Sequence, residues 1–291
     1  MLSARRNVIR SQEEAEKKLK CWCLGEICHE RKNKSVFDIL GKRKTSILVS
    51  KPETSFEYVA SLSKISRRIR KHMHRGNVLA VTSVAENEGK TTVSANLALS
   101  FAKQYRNVLL IDCDLRKPAC HSILEMKHPK FCINDVAEGK VPLREAIVTD
   151  RLSGLQVLCA RKTTNTSADL IFDTIGMKKL FKQVRDEFDV VVVDLPPMSV
   201  CADSEYVAEY ADASLLVVRQ NSVGVPELNH AVSVLENTHA RMLGCVVNNV
   251  HTSFLTSGEG CATGYSRRSY GYGGKYGKNR YYSTYSSKDT L

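Results

Sequence analysis

Short apolar runs alternate along the chain with longer stretches in which apolar residues recur every three or four positions. The short runs are Val78–Thr82, Val108–Ile111, Gly154–Cys159, Val190–Val193, Ser214–Arg219 and Met242–Asn248, and each predicts a strand. The four consecutive valines at 190–193 predict a strand buried on both faces, as in a parallel sheet. Helical periodicity fills the gaps: VSANLALSFAKQ after Thr92, Met177–Glu187 with Leu180, Phe181 and Val184 facing inward, and Pro226–Thr238. Residues 119–153 are weakly patterned and predict no element. This alternation predicts an α/β fold, a doubly wound, mostly parallel sheet with helices on both faces and ligands at the strand carboxyl ends. Two helices are predicted ahead of the first strand. Ser11–Lys20 has a serine cap and acids in its first turn. Ser55–His72 carries Phe56, Val59, Leu62, Ile65 and Ile69 on one stripe, with Lys64, Arg67, Arg68, Arg70 and Lys71 on the other face. That basic face reads either as solvated surface or as a subunit-contact face.

The polar residues at the strand ends carry the chemistry. The strand at Val78 runs through a small, polar loop into Gly89-Lys90-Thr91-Thr92 and then a helix. Unpaired backbone N–H groups at a helix N-terminus attract phosphate oxygens. In this arrangement a lysine neutralises the β- and γ-phosphates, and a Thr hydroxyl binds Mg2+. Val84 stands where the strict phosphate-loop pattern has its first glycine, so the loop by itself reads only as a candidate. The second strand ends in Asp112-Cys113-Asp114, whose two acids point the same way from a strand end. Paired carboxylates beside a phosphate loop suit Mg2+ and the polarising of a nucleophile. The four-valine strand ends in Asp194-Leu195-Pro196-Pro197, and the prolines stop it at once. Loop and two aspartate-ended strands together predict an ATP–Mg2+ site.

Composition adds the organisation around that core. At 291 residues and 43% apolar, the chain suffices for one large α/β domain with extensions. No apolar run approaches the roughly 18 residues of a membrane span, and no signal peptide is visible. The expectation is a cytoplasmic protein, tethered, if at all, by a partner. Ten scattered cysteines with one close pair, Cys21 and Cys23, read as reduced thiols. Cys28-His29 follows, but no second ligand pair sits at zinc-finger spacing. The net charge of +12 is uneven: residues 1–50 carry +6, 61–76 carry +6 and 261–291 carry +5, so the remainder is mildly acidic. Basic flanks suit a membrane surface or an anionic partner. The predicted organisation is a basic extension over 1–50, a nucleotide-binding domain over 51–255 and a tail over 256–291. Tyr265, Tyr270, Tyr272, Tyr276, Tyr281, Tyr282 and Tyr285 crowd that tail among Gly, Ser, Lys and Arg, a composition that predicts disorder.

These residues resemble the bacterial tyrosine kinases that govern capsule and exopolysaccharide assembly, over roughly residues 50–291. Gly89-Lys90-Thr91 resembles that family's Walker A motif. Leu109-Leu110-Ile111-Asp112-Cys113-Asp114-Leu115-Arg116 resembles its Walker A′, and Val191-Val192-Val193-Asp194-Leu195-Pro196-Pro197 its Walker B. The tyrosine cluster lies where the family carries its autophosphorylated tail. The resemblance implies a P-loop NTPase fold of the deviant-Walker branch. It implies nucleotide contacts from Glu88, Gly89, Lys90, Thr91, Thr92 and Asn248, and Mg2+ on Thr91, Asp112 and Asp194. It implies catalytic roles for Lys90, Asp112, Asp114 and Arg116, with Asp112 favoured over Asp114 to accept the tyrosine proton. It also implies a ring of copies that phosphorylate one another's seven tail tyrosines, a transmembrane activator at the inner face of the membrane and a cognate phosphatase, with no nucleic-acid partner. The 55–72 helix keeps Glu57 of the family's Glu-x-x-Arg-x-x-Arg ring motif, but Ala60 and Ser63 replace the arginines. Glu14–Lys32 is similar to the cytosolic segment that follows the second membrane span in fused members.

Two competing readings share these residues. A partitioning or division-site ATPase of the same branch uses an extra lysine early in the loop, where this chain has Ala85. A non-catalytic adaptor with a nucleic-acid-binding tail would have no use for the intact set Lys90, Asp112, Asp114 and Asp194.

Overall fold

The computed structural model describes residues 7–31, 46–73, 76–127, 129–163, 169–200 and 203–251. The tail tyrosines lie outside these residues. Eight strands form one sheet: β1 (Cys23–Cys28), β2 (Val78–Ser83), β3 (Val108–Asp112), β4 (Ile147–Thr149), β5 (Gln156–Leu158), β6 (Val190–Asp194), β7 (Ala213–Arg219) and β8 (Arg241–Val250). Their order is β1-β8-β7-β2-β6-β3-β5-β4, and every pairing is parallel except β4 with β5. The longer helices are α1 (Gln12–Lys18), α2 (Phe56–His72), α3 (Lys90–Ala102), α4 (Ile175–Glu187) and α5 (Val225–Glu236). No described helix is long and apolar enough to cross a membrane.

Strand alternation sends neighbouring side chains to opposite faces and so divides the core. Leu79, Val81, Leu110, Val192, Leu215 and Val217 meet α2 and α3 on one face. Val78, Ala80, Leu109, Ile111, Val191 and Val193 meet Met177, Leu180, Phe181 and Val184 of α4 on the other. Leu216, Val218 and Val247 extend that second layer toward Leu228, Val232 and Leu235 of α5. The four valines are each fully buried, two per face, so the expected doubly wound sheet is the observed one.

Three local expectations are corrected. First, residues 23–28 are not an extension outside the domain but a strand at the sheet edge, parallel to β8. Leu24 and Ile27 pack with Leu62 and Ile65 of α2, and Arg68 Nη1 donates to the Leu24 carbonyl at 2.6 Å. The helix therefore covers an edge strand that has little apolar alternation of its own. The packed body thus begins ahead of residue 51. Second, Phe56 leaves the predicted stripe: it is 78% exposed, and Tyr58 is buried in the same turn of α2. Third, Cys28 is disulfide-bonded, so the all-thiol reading fails there, while seven other cysteines are free. The basic face of α2 is partly used within the chain, because Arg70 donates to the Tyr105 hydroxyl at 3.2 Å and to the Gly76 carbonyl at 3.1 Å.

Candidate active site

The carboxyl ends of β2, β3 and β6 lie side by side at the centre of the sheet. Asp112 and Asp194 are register partners on β3 and β6, so two buried acids are adjacent by construction. The loop after β2 leads into α3, whose cap residue Gly89 has φ +89°. A Cβ there would overlap the Asn248 amide, so glycine is required both by the left-handed backbone and by space.

Lys90 is buried and faces the acids. Its Nζ donates to Asp114 Oδ2 at 2.9 Å and to Thr91 Oγ1 at 3.1 Å, and lies 3.5 Å from Asp194 Oδ2. Burial disfavours the Lys90 charge, but Asp194, Asp114 and Asp112 outweigh it and push its pKa up. Asp112 accepts from the backbone N–H of Asp114 through Oδ1 (3.1 Å) and from those of Ala119 (2.9 Å) and Cys120 (3.0 Å) through Oδ2. Burial and the Asp194 charge still push it up to about 7. Asp194 accepts from Ser94 Oγ at 2.9 Å; burial raises its pKa, against Lys90, Thr91 and Ser94.

A cleft of about 490 Å3 opens over this cluster, lined by Gly89, Lys90, Thr91, Thr92, Asp114 and Arg116, with Pro196, Pro197 and Val200 opposite. Six of the ten expected site residues lie on its wall: Gly89, Lys90, Thr91, Thr92, Asp114 and Arg116. Glu88, Asn248, Asp112 and Asp194 do not line it. Glu88 and Asn248 brace the loop from behind instead. The Glu88 carboxylate accepts from the N–H of Ala85 (2.8 Å) and Arg219 (3.2 Å), and Asn248 Nδ2 donates to the Glu88 carbonyl at 2.8 Å. Burial raises the Glu88 pKa against those donors. The sequence offers no motif linking residue 88 to 219, because the contact depends on β7 ending beside the loop.

Two acids and the Thr91 hydroxyl converge where a hard divalent cation would find oxygen donors, and two like charges buried together lack sufficient positive charge without one. The residues therefore fit such an ion. Cys120 also reaches this point: Asp112, Cys120 and Asp194 bring three ligand atoms within 4.8 Å of one another. Sequence reading missed it and also missed Ser94. Of the paired acids, Asp114 faces the cleft and Asp112 lies behind it, the reverse of the order expected for accepting a proton from a substrate.

A family model described as an AAA domain matches residues 77–243. Tyrosine-protein kinase YwqD of Bacillus subtilis is 31% identical over 168 residues, covering 58% of this chain and 70% of its own. A putative tyrosine-protein kinase in the cps region of Klebsiella pneumoniae is 27% identical over 60% of this chain, which spans only 24% of that longer protein. Among solved structures, the kinase domain of Escherichia coli tyrosine kinase ETK aligns at TM-score 0.74 and 23% identity, over 91% of this chain and 99% of that one. The cell division ATPase MinD of Pyrococcus furiosus is more distant in fold, with TM-score 0.53 and 25% identity over 60% of this chain and 72% of its own. With more than half its length matched by the domain model and a kinase relative covered over two thirds, the chain belongs to the AAA-domain family and, within it, to the bacterial tyrosine-protein kinases.

Proposed function

We propose that this chain is an ATP- and Mg2+-dependent protein-tyrosine kinase that phosphorylates the tail tyrosines of a neighbouring copy and regulates capsular or exopolysaccharide synthesis and export. The observation that carries this reading is the convergence of Lys90, Asp112, Asp114 and Asp194 in one cluster, with Lys90 and Asp114 lining the cleft above it. The seven tail tyrosines supply acceptors within the same chain.

The chain's own groups divide the work. Backbone N–H groups at the start of α3 hold the phosphates, and Lys90 turns from Asp114 to the β- and γ-oxygens. Mg2+ held by Thr91, Asp112 and Asp194 would supply charge neutralisation at the transferring phosphoryl group. A tyrosine hydroxyl attacks the γ-phosphorus as the bond to ADP breaks, and its proton passes to a carboxylate. Asp114 suits that role better than Asp112, because it lines the cleft and is released when Lys90 turns away. Asp112, tied by three backbone donors, serves to fix the cation. Arg116 lies on the wall, where its charge favours an anionic transition state. A transmembrane activator as tether, a ring of copies and a phosphatase that resets the tail complete the proposal; the basic N-terminal region and the cps-region relative support it.

Incubation with Mg-ATP followed by blotting for phosphotyrosine tests the reading. The wild-type chain should label and Lys90→Ala should not. ATP hydrolysis with no phosphotyrosine, even with the activator supplied, would instead support an ATPase of the partitioning type.

A further inference from the structure

One group in the acid cluster is foreign to hard-cation chemistry. Cys120 opens the short helix Cys120–Ile123 and is fully buried. Its N–H donates to Asp112 Oδ2 at 3.0 Å, which fixes the residue against one acid, and its thiol approaches Asp194 Oδ2 at 3.9 Å, which directs it at the other. Sγ and one oxygen from each acid lie within 4.8 Å of one another. Zinc–sulfur and zinc–oxygen bonds of about 2.3 and about 2.1 Å at a tetrahedral angle put sulfur and oxygen about 3.6 Å apart. A shift of a few tenths of an ångström would therefore close Cys120 and Asp194 on one ion.

We infer that Asp112, Cys120 and Asp194 form a site for a thiophilic divalent cation of the zinc class, with the Cys120 sulfur as a direct ligand. This rests on the proposed reading of the two acids as a cation site and adds a second class of ion to it. Mg2+ takes oxygen donors, whereas a thiolate selects softer ions. The thiol proton leaves to solvent as the metal–sulfur bond forms. Three protein ligands leave a fourth position for water or a phosphate oxygen. Lys90, 3.5 Å from Asp194, repels any divalent ion alike, so it lowers affinity without altering the preference between soft and hard. Because both ions use Asp112 and Asp194, a zinc-class ion displaces Mg2+ and acts as an inhibitor of the kinase.

Cobalt titration of the full chain without nucleotide tests this, since a thiolate ligand gives Co2+ a charge-transfer band in the near ultraviolet. The band should appear at one equivalent, disappear on adding Zn2+, survive in Cys21→Ser and Cys245→Ser, whose native thiols hydrogen-bond to each other and form a second thiol cluster, and be lost in Cys120→Ser. Absence of the band, or its full persistence in Cys120→Ser, would overturn the inference. Should Cys120→Ser not fold, zinc-edge X-ray absorption on the Cys21→Ser/Cys245→Ser chain decides instead. One sulfur at about 2.3 Å supports the site and an all-oxygen or nitrogen shell overturns it. Mg2+-supported ATP binding, measured separately on the wild type, reports the acid-pair reading: its absence beside an intact cobalt band would sink the Mg2+ role while leaving the soft site standing.

Discussion

Replacing Lys90 with methionine removes the cation but keeps most of the side-chain volume. In the folded chain Lys90 Nζ lies 2.9 Å from Asp114 and 3.5 Å from Asp194, with all three side chains buried. At an effective dielectric near 20 these distances correspond to gross attractions of about 6 and about 5 kcal/mol. Desolvation offsets most of that, and removing one partner of a buried pair costs about 3–5 kcal/mol in practice, chiefly because the remaining charge is stranded. A loss of about 3–5 kcal/mol is therefore expected at pH 8. The pH dependence follows from Asp112, whose pKa burial and Asp194 raise from 3.8 to about 7 while Lys90 pulls it down. A carboxyl with a raised folded-state pKa contributes stability below its unfolded value, and this is lost as pH rises to the folded value. In the wild type that loss is complete near pH 7; without Lys90 it continues above. The deficit of Lys90→Met should thus be smaller at pH 6 than at pH 8. Urea unfolding without nucleotide, followed by circular dichroism at both pH values, measures it. Equal stability of the two proteins at pH 8, or a deficit independent of pH, would refute the reasoning.

The other expectations concern the loop and the tail. Gly89→Ala forces a Cβ into the Asn248 amide at φ +89°, so nucleotide affinity should fall about five- to thirtyfold by calorimetry, matching the cost of about 1–2 kcal/mol for a non-glycine left-handed residue. Glu88→Ala leaves the Ala85 and Arg219 N–H groups without their carboxylate, and should lower stability by about 1–3 kcal/mol and weaken ATP binding, although the side chain never faces the cleft. Truncation near Gly260 should remove the tail acceptors while sparing ATP hydrolysis, read by phosphate release.

Legibility in the sequence followed local patterning. Val190–Val193 announces a doubly buried strand by itself, and Gly89-Lys90-Thr91, Asp112-x-Asp114 and Asp194 carry their chemistry in contiguous residues. β1 was not legible, because Cys-Leu-Gly-Glu-Ile-Cys gains its burial from α2, almost thirty residues later by sequence. β4 has three residues and pairs only at the edge. Cys120 and Ser94 enter the site through a short helix and a helix face, and Glu88 meets Arg219 across the sheet, so no spacing encodes them. The order of Asp112 and Asp114 was likewise unreadable. Both acids point from a strand end, and only the backbone donors of residues 119 and 120 decide which one is held behind the cleft.

The most direct measurement mixes two copies: one truncated near Gly260 with Lys90 intact, the other full-length carrying Lys90→Ala. With Mg-ATP and the activator present, mass spectrometry should find phosphate on Tyr265–Tyr285 of the Lys90→Ala copy, transferred from its partner. An unmodified tail in that mixture, while the truncated copy hydrolyses ATP, would contradict the kinase account.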